Sequence, residues 1–503
     1  MTRFFTKDAK RFRSAHASFF FTLGILAMLA TLLGGCTVGP DFKRPEAAVP
    51  DRWRGSLPAA AAVSSFAADE QLADWWTVFD EPLLNTLVQR AAAANLDLKL
   101  AEARIRQARA ALRVAGGNLG PGLDASGDYR RSRSSTTTTT GRAAGVTSDQ
   151  YQTGFDASWE IDIFGGQRRN LEAAAADFQA AEDSRRDVLV SLMAEVARDY
   201  IQLRGYQQQI VITRKNLAAQ QHSARLTRER FAGGFVSGLD VANADAQTAT
   251  TAAQLPLLES SARQTIYSLS ILVGEAPAAL EAELSPTGSI PGAPPDVPLG
   301  VPSDLLRRRP DIRQAEARIH AATARIGVAA AELFPKFTIA GSLGYQSTDL
   351  GTLFDAPSRF WSFGPSAVWH LFASGRLRAG VDVQKALQEQ EIITYRQTVL
   401  GALQEVENAL VASTTEQVHR RHLATAVAAN RKAVTLAEQL YTEGLTDFIN
   451  VLQAQQALYS TENALVQSTA TVSTDLVALY KALGGGWSVA SADPAGGPST
   501  QTN

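Results

Sequence analysis

The chain carries the same turn-bearing stretch twice. Phe231-Ala-Gly-Gly-Phe-Val-Ser237-Gly-Leu-Asp-Val-Ala-Asn-Ala244 has a near twin 210 residues on, Tyr441-Thr-Glu-Gly-Leu-Thr-Asp447-Phe-Ile-Asn-Val-Leu-Gln-Ala454. In this register Gly234 matches Gly444, Val241 matches Val451 and Ala244 matches Ala454, and the offset continues to Leu269/Leu479 and Gly274/Gly484 without a gap. Each stretch sits where one long helical pattern ends and another begins. Two helical hairpins with similar tips imply an internal duplication, so the 503 residues hold one repeated unit and not a string of ordinary domains.

The duplication extends upstream. Ala101-Glu-Ala-Arg-Ile105 returns as Ala315-Glu-Ala-Arg-Ile319 and Pro121 as Pro335, here at an offset of 214. Between these markers and the tips lies, in each half, a segment of period-two alternation. Phe155, Ala157, Trp159, Ile161 and Ile163 oppose Asp156, Ser158, Glu160 and Asp162, and Leu123, Ala125 and Tyr129 oppose Asp124, Asp128 and Arg130. Such alternation predicts strands, and these reach the ~9–11 residues that cross a bilayer at a tilt. Phe337, Ile339, Leu343 and Tyr345, then Trp361, Phe363, Ala367 and Trp369, repeat the pattern in the second half.

The predicted order is therefore as follows. The first repeat spans 83–274, with a helix from Leu83 to Ala115, a β-hairpin over 121–163 whose loop runs from Ser132 to Gln152, and a long helical hairpin with its tip at 231–239. Pro256 should kink or divide the returning helix. A Pro/Gly-rich crossover covers 275–302. The second repeat spans 303–486, with a β-hairpin at 335–372 and a tip at 441–449, and residues 487–503 form a polar, disordered tail. Val451, Leu458, Leu465, Val472 and Leu479 fall seven apart, the spacing of a left-handed coiled coil.

The N-terminus has the layout of an export signal. Arg3, Lys7, Lys10, Arg11 and Arg13 precede an apolar run from Ser18 to Leu33, which ends in Leu33-Gly34-Gly35-Cys36. This resembles a bacterial lipoprotein signal, which implies removal of residues 1–35 and acylation of Cys36, the only cysteine in the chain. Thr37 after it favours the outer membrane over inner-membrane retention. Residues 36–82 then form an extended, Pro-rich segment.

Four membrane-length strands cannot close into a barrel, and open sheet edges are not tolerated in lipid. Three chains would supply twelve, so the strand count points to a homotrimer. The apolar faces would meet lipid, and Asp156, Glu160 and Asp162 would line a water-filled lumen. The fold class is mainly α with a transmembrane β-barrel, four strands per chain and long helices continuing the wall.

Cys36-Thr-Val-Gly-Pro-Asp41, Trp75-Trp76 with Phe79, Trp159-Glu-Ile-Asp162, Arg309-Pro-Asp311 before Ala315-Glu-Ala-Arg-Ile319, Phe334-Pro335, Tyr441-Thr-Glu-Gly444 and Val451-Leu-Gln-Ala-Gln455 occur in an order that resembles the outer membrane factors of bacterial tripartite efflux and secretion systems, in particular the NodT-type lipoproteins related to TolC and OprM. The resemblance implies a TolC-like trimer with a shared 12-strand barrel and a periplasmic α-helical barrel. It implies an exit duct fed by an inner-membrane pump through a periplasmic adaptor. It also implies a gate at the helix tips, for which Tyr441, Glu443 and Asp447 match by position. Gln453 stands where relatives often carry Asp, and Asp240 and Asp245 in the first tip offer acidic alternatives. The competing reading of these residues is helix capping and turn chemistry, with Gly234 and Gly444 as C-caps. Arg230, Gly234, Ser237, Gly444 and Leu445 are the expected adaptor contacts, since bare glycine admits a close backbone.

Other function classes find little support. A net charge of −2 without a basic patch gives no footprint for nucleic acid. No nucleotide-binding or cysteine-based metal motif is present, and no cofactor is expected beyond the lipid on Cys36. His419 and His422 read as a solvated helix face. The Asp156/Glu160/Asp162 group lacks a nucleophile, so an enzyme is not expected. A type I protein-secretion channel and a non-channel envelope scaffold remain the alternatives to an efflux duct.

Overall fold

The computed structural model describes residues 37–55, 72–137, 145–292 and 301–488. Cys36, the signal segment and residues 489–503 lie outside them. The helices longer than one turn are α1 (Pro82–Ala94), α2 (Leu96–Gly117), α3 (Gly166–Ala232), α4 (Gly238–Ala252), α5 (Gln254–Leu272), α6 (Pro310–Ala331), α7 (Arg376–Thr442) and α8 (Phe448–Ala482). The strands are β1 (Gly122–Arg133), β2 (Thr147–Ile161), β3 (Lys336–Ser347) and β4 (Arg359–Val368). α3 and α7 are each 67 residues long, about 100 Å at ~1.5 Å per residue.

Two compact units are resolved by their contacts. The first comprises, of the described residues, Thr37–Pro45 with those of Arg106–Ala180 and Glu316–Thr394. It holds the sheet, an antiparallel meander in the order β1-β2-β3-β4. The register confirms the two faces expected from alternation. Ala125, Phe155, Leu343 and Trp361 form one cross-strand row, and Asp124, Asp156, Ser342 and Ser362 form a row on the other side. Phe155, Leu343, Trp361 and Phe363 are all exposed. On the polar face Ser126 donates to Asp156 at 3.0 Å, and the Ser342 and Ser362 hydroxyls meet at 2.7 Å. β1 and β4 each have one strand neighbour among the described residues, so two ladder edges are open.

The duplication is visible at single atoms. Trp159 Nε1 donates to the Leu119 carbonyl at 2.9 Å, and its counterpart Trp369 Nε1 donates to Leu333 at 3.1 Å. Gly165/Gly375, Gly234/Gly444 and Gly274/Gly484 are paired positions, and all six have φ between 74° and 81°.

Three differences from the sequence expectation have local causes. The helix expected over Leu83–Ala115 is broken at Asn95, whose Oδ1 accepts the N–H groups of Asp97 and Leu98 and so caps a new helix. β1 and β2 run further than expected, because the ladder continues through polar pairs such as Ser132/Ser148 after the apolar alternation fades. Asp162 lies one residue past β2 and does not line the strand face. Its carboxylate accepts the Gln167 and Arg168 N–H groups at 3.0 and 2.8 Å, capping α3, where an acidic group opposes the positive helix end. Pro256 falls in the first turn of α5, after a break at Ala253 that divides the returning helix as expected.

The first unit also fixes the start of the described chain. The Val38 N–H donates to the Phe164 carbonyl at 3.1 Å. Arg169, 5 % exposed along its side chain, binds Asp41 at 2.7 Å. Gly39 packs so tightly that a Cβ there would lie 2.4 Å from Gly327 Cα.

The second unit comprises Glu46–Ile105, Ala181–Ala315 and the chain from Tyr395. Its aromatic centre stacks Trp75 on Tyr480 at 5.3 Å, with Trp76 and Phe79 edge-on to Trp75. The crossover packs on α3, whose Gln207 and Gln208 donate to the Leu284 and Gly288 carbonyls. Trp487, expected at the head of a disordered tail, is buried between the Arg186 and Arg313 guanidinium groups.

Candidate functional site

Both helical tips belong to the second unit, and both are closed by the same backbone device. The Gly234 and Phe235 N–H groups donate to the carbonyls of Phe231 and Arg230, and those of Gly444 and Leu445 donate to Tyr441 and Leu440. These are paired Schellman bonds around a left-handed residue, a conformation that glycine adopts without steric cost. The capping role foreseen for both glycines is therefore present.

The side chains diverge. Tyr441 is 3 % exposed and packs with Phe448, Val451, Leu452, Ala224 and Ala244. Its hydroxyl donates to Thr227 at 3.3 Å. Arg230 lies 4.6 Å over its ring and donates to its carbonyl and, at 3.4 Å, to that of Thr442. Arg230 and Thr227 come from α3, so the second hairpin is held against the end of the first. A cavity of about 340 Å³ lies beside this contact, with Leu226, Glu438, Tyr441, Glu443 and Val451 among its walls.

The acidic candidates separate in the same way. Asp240 is engaged in a capping box: its carboxylate accepts the Ser237 N–H at 3.0 Å, and Ser237 Oγ accepts the Asp240 N–H at 3.3 Å. Asp245 is paired with Arg228 on α3. Glu443 is exposed and accepts from Gln439 at 3.2 Å. Asp447 occupies the N-cap position of α8 without a side-chain capping bond, and it is exposed. Gln453 is exposed, whereas its neighbour Gln455 is buried and donates to Ser223 at 2.9 Å and Glu438 at 2.8 Å.

Among the expected adaptor contacts, Arg230 is committed within the chain to Tyr441, and Ser237 to its capping box. Gly234 and Gly444 are exposed, and Leu445 is 70 % exposed. Phe231, Phe235 and Leu239 extend that exposed apolar surface at the first tip. Thr227 and Ser223 were not singled out from sequence, and Gln455 entered only as the end of the Val451–Gln455 run. Among the described residues no group of three or more His, Cys, Asp or Glu side chains could hold a metal ion, and His419 lies 3.1 Å from Glu416.

Relatives of this arrangement are known. A family profile described as outer membrane efflux protein matches residues 87–275 and 301–485, one match per repeat. The pyoverdine export outer membrane protein OpmQ of Pseudomonas aeruginosa is 35 % identical over 462 residues, covering 91 % of this chain and 95 % of its own. Nodulation protein T of Rhizobium leguminosarum bv. trifolii is 30 % identical over 474 residues, covering 93 % and 98 %. The solved structure of the outer-membrane channel OprN matches with a TM-score of 0.83 and 36 % identity, over 90 % of this chain and all of that one.

Proposed function

This chain belongs to the outer membrane efflux protein family, and we propose from that premise that it is the gated exit duct of a tripartite pump for small molecules. It is a channel of the outer membrane that extends into the periplasm and works with an adaptor and an inner-membrane pump. It is not an enzyme.

The observation that carries the channel reading is the sheet. One face is apolar and exposed, the other is polar, and both edges are open. Lipid can cover the apolar face, but unpaired N–H and C=O groups at the edges are costly there. Pairing β1 of one copy with β4 of the next satisfies both edges, and three copies give twelve strands. Among the described residues no helix is long and apolar enough to cross a membrane.

The gate is assigned to the second tip, where Tyr441, Arg230 and Thr227 tie one hairpin to the other. Glu443, Asp447 and Gln453 stand exposed beside it, available to a neighbouring copy or to the lumen. The exposed surface of Phe235, Leu239 and Leu445 is the adaptor contact. Acylation of Cys36 is supported by the Leu33-Gly34-Gly35-Cys36 run that ends the export signal. Mass spectrometry of the purified protein should show the acyl mass on residue 36, and an unmodified N-terminus would refute it.

The duct itself is tested in a planar bilayer with purified full-length protein. A trimer that forms discrete channels is the expected result. A monomer with no conductance would return the chain to the scaffold reading.

A further inference from the structure

The exposed apolar face of the sheet ends in aromatic side chains at both limits. Where the strands pass into α3 and α7 it ends at Trp159 and Trp369, whose indole nitrogens bond to backbone carbonyls. At the hairpin-loop end it stops at Tyr129, Tyr151 and Tyr345. Tyr129 and Tyr151 pair across β1 and β2 with ring centroids 4.8 Å apart. From Tyr151 to Trp159 is about 27 Å of strand at ~3.4 Å per residue, or about 20 Å of depth at the tilt usual for membrane barrels. Aromatic rings at both limits of such a band mark the two headgroup layers.

Beyond the tyrosines the same face turns cationic. Arg131 and Arg133 follow Tyr129 at the strand period of two, and Arg359 stands opposite Tyr345 at the start of β4. All three are exposed. Asp149 lies opposite Arg131 in the ladder and is already engaged. It accepts the Tyr129 hydroxyl at 2.8 Å and lies 3.7 Å from Arg131 Nε. Among the described residues no carboxylate lies within ion-pair distance of Arg133 or Arg359.

Arginine keeps its charge at any ordinary pH, and its planar fork of donors matches phosphate. Within one sheet Arg131 and Arg133 lie on one edge strand and Arg359 on the other. Pairing β1 of one copy with β4 of the next sets the loop ends of these two strands side by side, about 4.8 Å apart. The three arginines then meet at each junction between copies. The loop end is remote from the helices that extend into the periplasm, so it faces the outer leaflet, where the abundant anionic lipid is a phosphorylated glycolipid. We propose that each junction is a docking site for the phosphate groups of that glycolipid. Arg131 and Arg133 of one copy and Arg359 of the next would bind phosphate, and the tyrosines beneath would contact acyl chains. This rests on the barrel reading given above. A lipid held by two copies at once binds the trimer and not the separate chains, so it also stabilises the assembly.

Native mass spectrometry of the full-length trimer in detergent tests the site, with lipopolysaccharide and its dephosphorylated form as the two probes. Arg131→Gln/Arg133→Gln/Arg359→Gln should bind intact lipopolysaccharide on the order of a hundredfold more weakly than wild type, and Arg133→Gln alone roughly fivefold more weakly. Wild type should bind the dephosphorylated form about as weakly as the triple variant binds the intact one. Arg130→Gln removes a neighbouring charge from the opposite face of β1 and should bind like wild type. Equal binding of both probes by wild type, full binding by the triple variant, or an equal loss in Arg130→Gln overturns the proposal. If the triple variant does not assemble, the comparison of Arg133→Gln with Arg130→Gln decides. Single-channel recording separates this outcome from failure of the barrel reading. Wild-type protein that forms neither trimer nor channel removes both, whereas working channels whose lipid binding ignores the arginines remove the docking site alone.

Discussion

At the first tip Phe231 is 51 % exposed; at the second its counterpart Tyr441 is 3 % exposed. The two turns have the same Schellman bonds and the same left-handed glycine, yet the residues around them have opposite fates. Ser237 closes a capping box with Asp240, and its counterpart Asp447 makes no side-chain cap. Asp245 pairs with an arginine of its own hairpin, while its counterpart Gln455 reaches across to Ser223. Duplication has preserved what the backbone needs to reverse direction and has left the side chains free to diverge. One tip leaves its apolar side chains Phe231, Phe235 and Leu239 exposed, and the other became a contact between hairpins.

The largest effect expected from this contrast is on stability near the second tip. Tyr441→Ala removes a buried aromatic side chain and should destabilise the surrounding helix ends by about 3–5 kcal/mol. Phe231→Ala should stay within about 0.5 kcal/mol. Hydrogen exchange over 437–455 and 224–244 measures both, and equal losses of protection would erase the distinction.

A substitution that acts on the shared backbone should not distinguish the tips. Gly234→Ala and Gly444→Ala each place a Cβ at φ near 78°, where it costs about 1–2 kcal/mol, and neither meets a severe clash. Similar falls in melting temperature are expected, and a much larger fall at one tip would mean that the turns are not equivalent.

Capping gives a smaller difference. Ser237→Ala loses the capping box and about 1 kcal/mol, whereas Asp447→Ala removes no capping bond and should cost less. Guanidinium titration of the pair checks the order.

Two carboxyls of the second hairpin should respond to pH with opposite signs. For Asp475, burial and then the nearby charge of Glu416 push the group up to about 6, so its protonation as pH falls through 6 favours the folded state. Burial also pushes the Glu462 carboxyl up, but the hydrogen bonds from Asn216 and Arg431, with the charges of Lys215 and Arg431, outweigh it and hold it below the ordinary range. Its contribution is present above the unfolded carboxyl range, and it is lost as pH falls through its own lower value. Trimer stability should therefore rise from pH 7 towards pH 5 and fall at stronger acidity. Glu462→Gln should abolish the contribution of Glu462 to the acid fall and leave the rise intact.

Much of this was legible in the sequence because it is periodic. Alternation gave the strand faces, and the 210-residue offset gave paired glycines, of which Gly234 and Gly444 are the C-caps read from sequence and all six have positive φ. Asn95 was a missed N-cap signal within a continuous apolar pattern. Asp162 continued the strand parity, so alternation alone could not show that the chain had already left the sheet. The buried polar row Thr213, Asn216, Gln220, Ser223 and Thr227 on α3 was missed for a related reason: an apolar heptad stands out in a sequence, and Thr, Asn, Gln and Ser at the same spacing do not. Which tip would be buried was not legible at all, because a turn's local sequence fixes its conformation and not what packs against it.

The most direct test of the account is single-channel conductance of Tyr441→Ala beside Phe231→Ala in otherwise full-length protein. A gate held by the second tip predicts a clear rise in conductance or open probability for Tyr441→Ala and wild-type behaviour for Phe231→Ala. Equal behaviour of the two variants, or a rise only for Phe231→Ala, would contradict it.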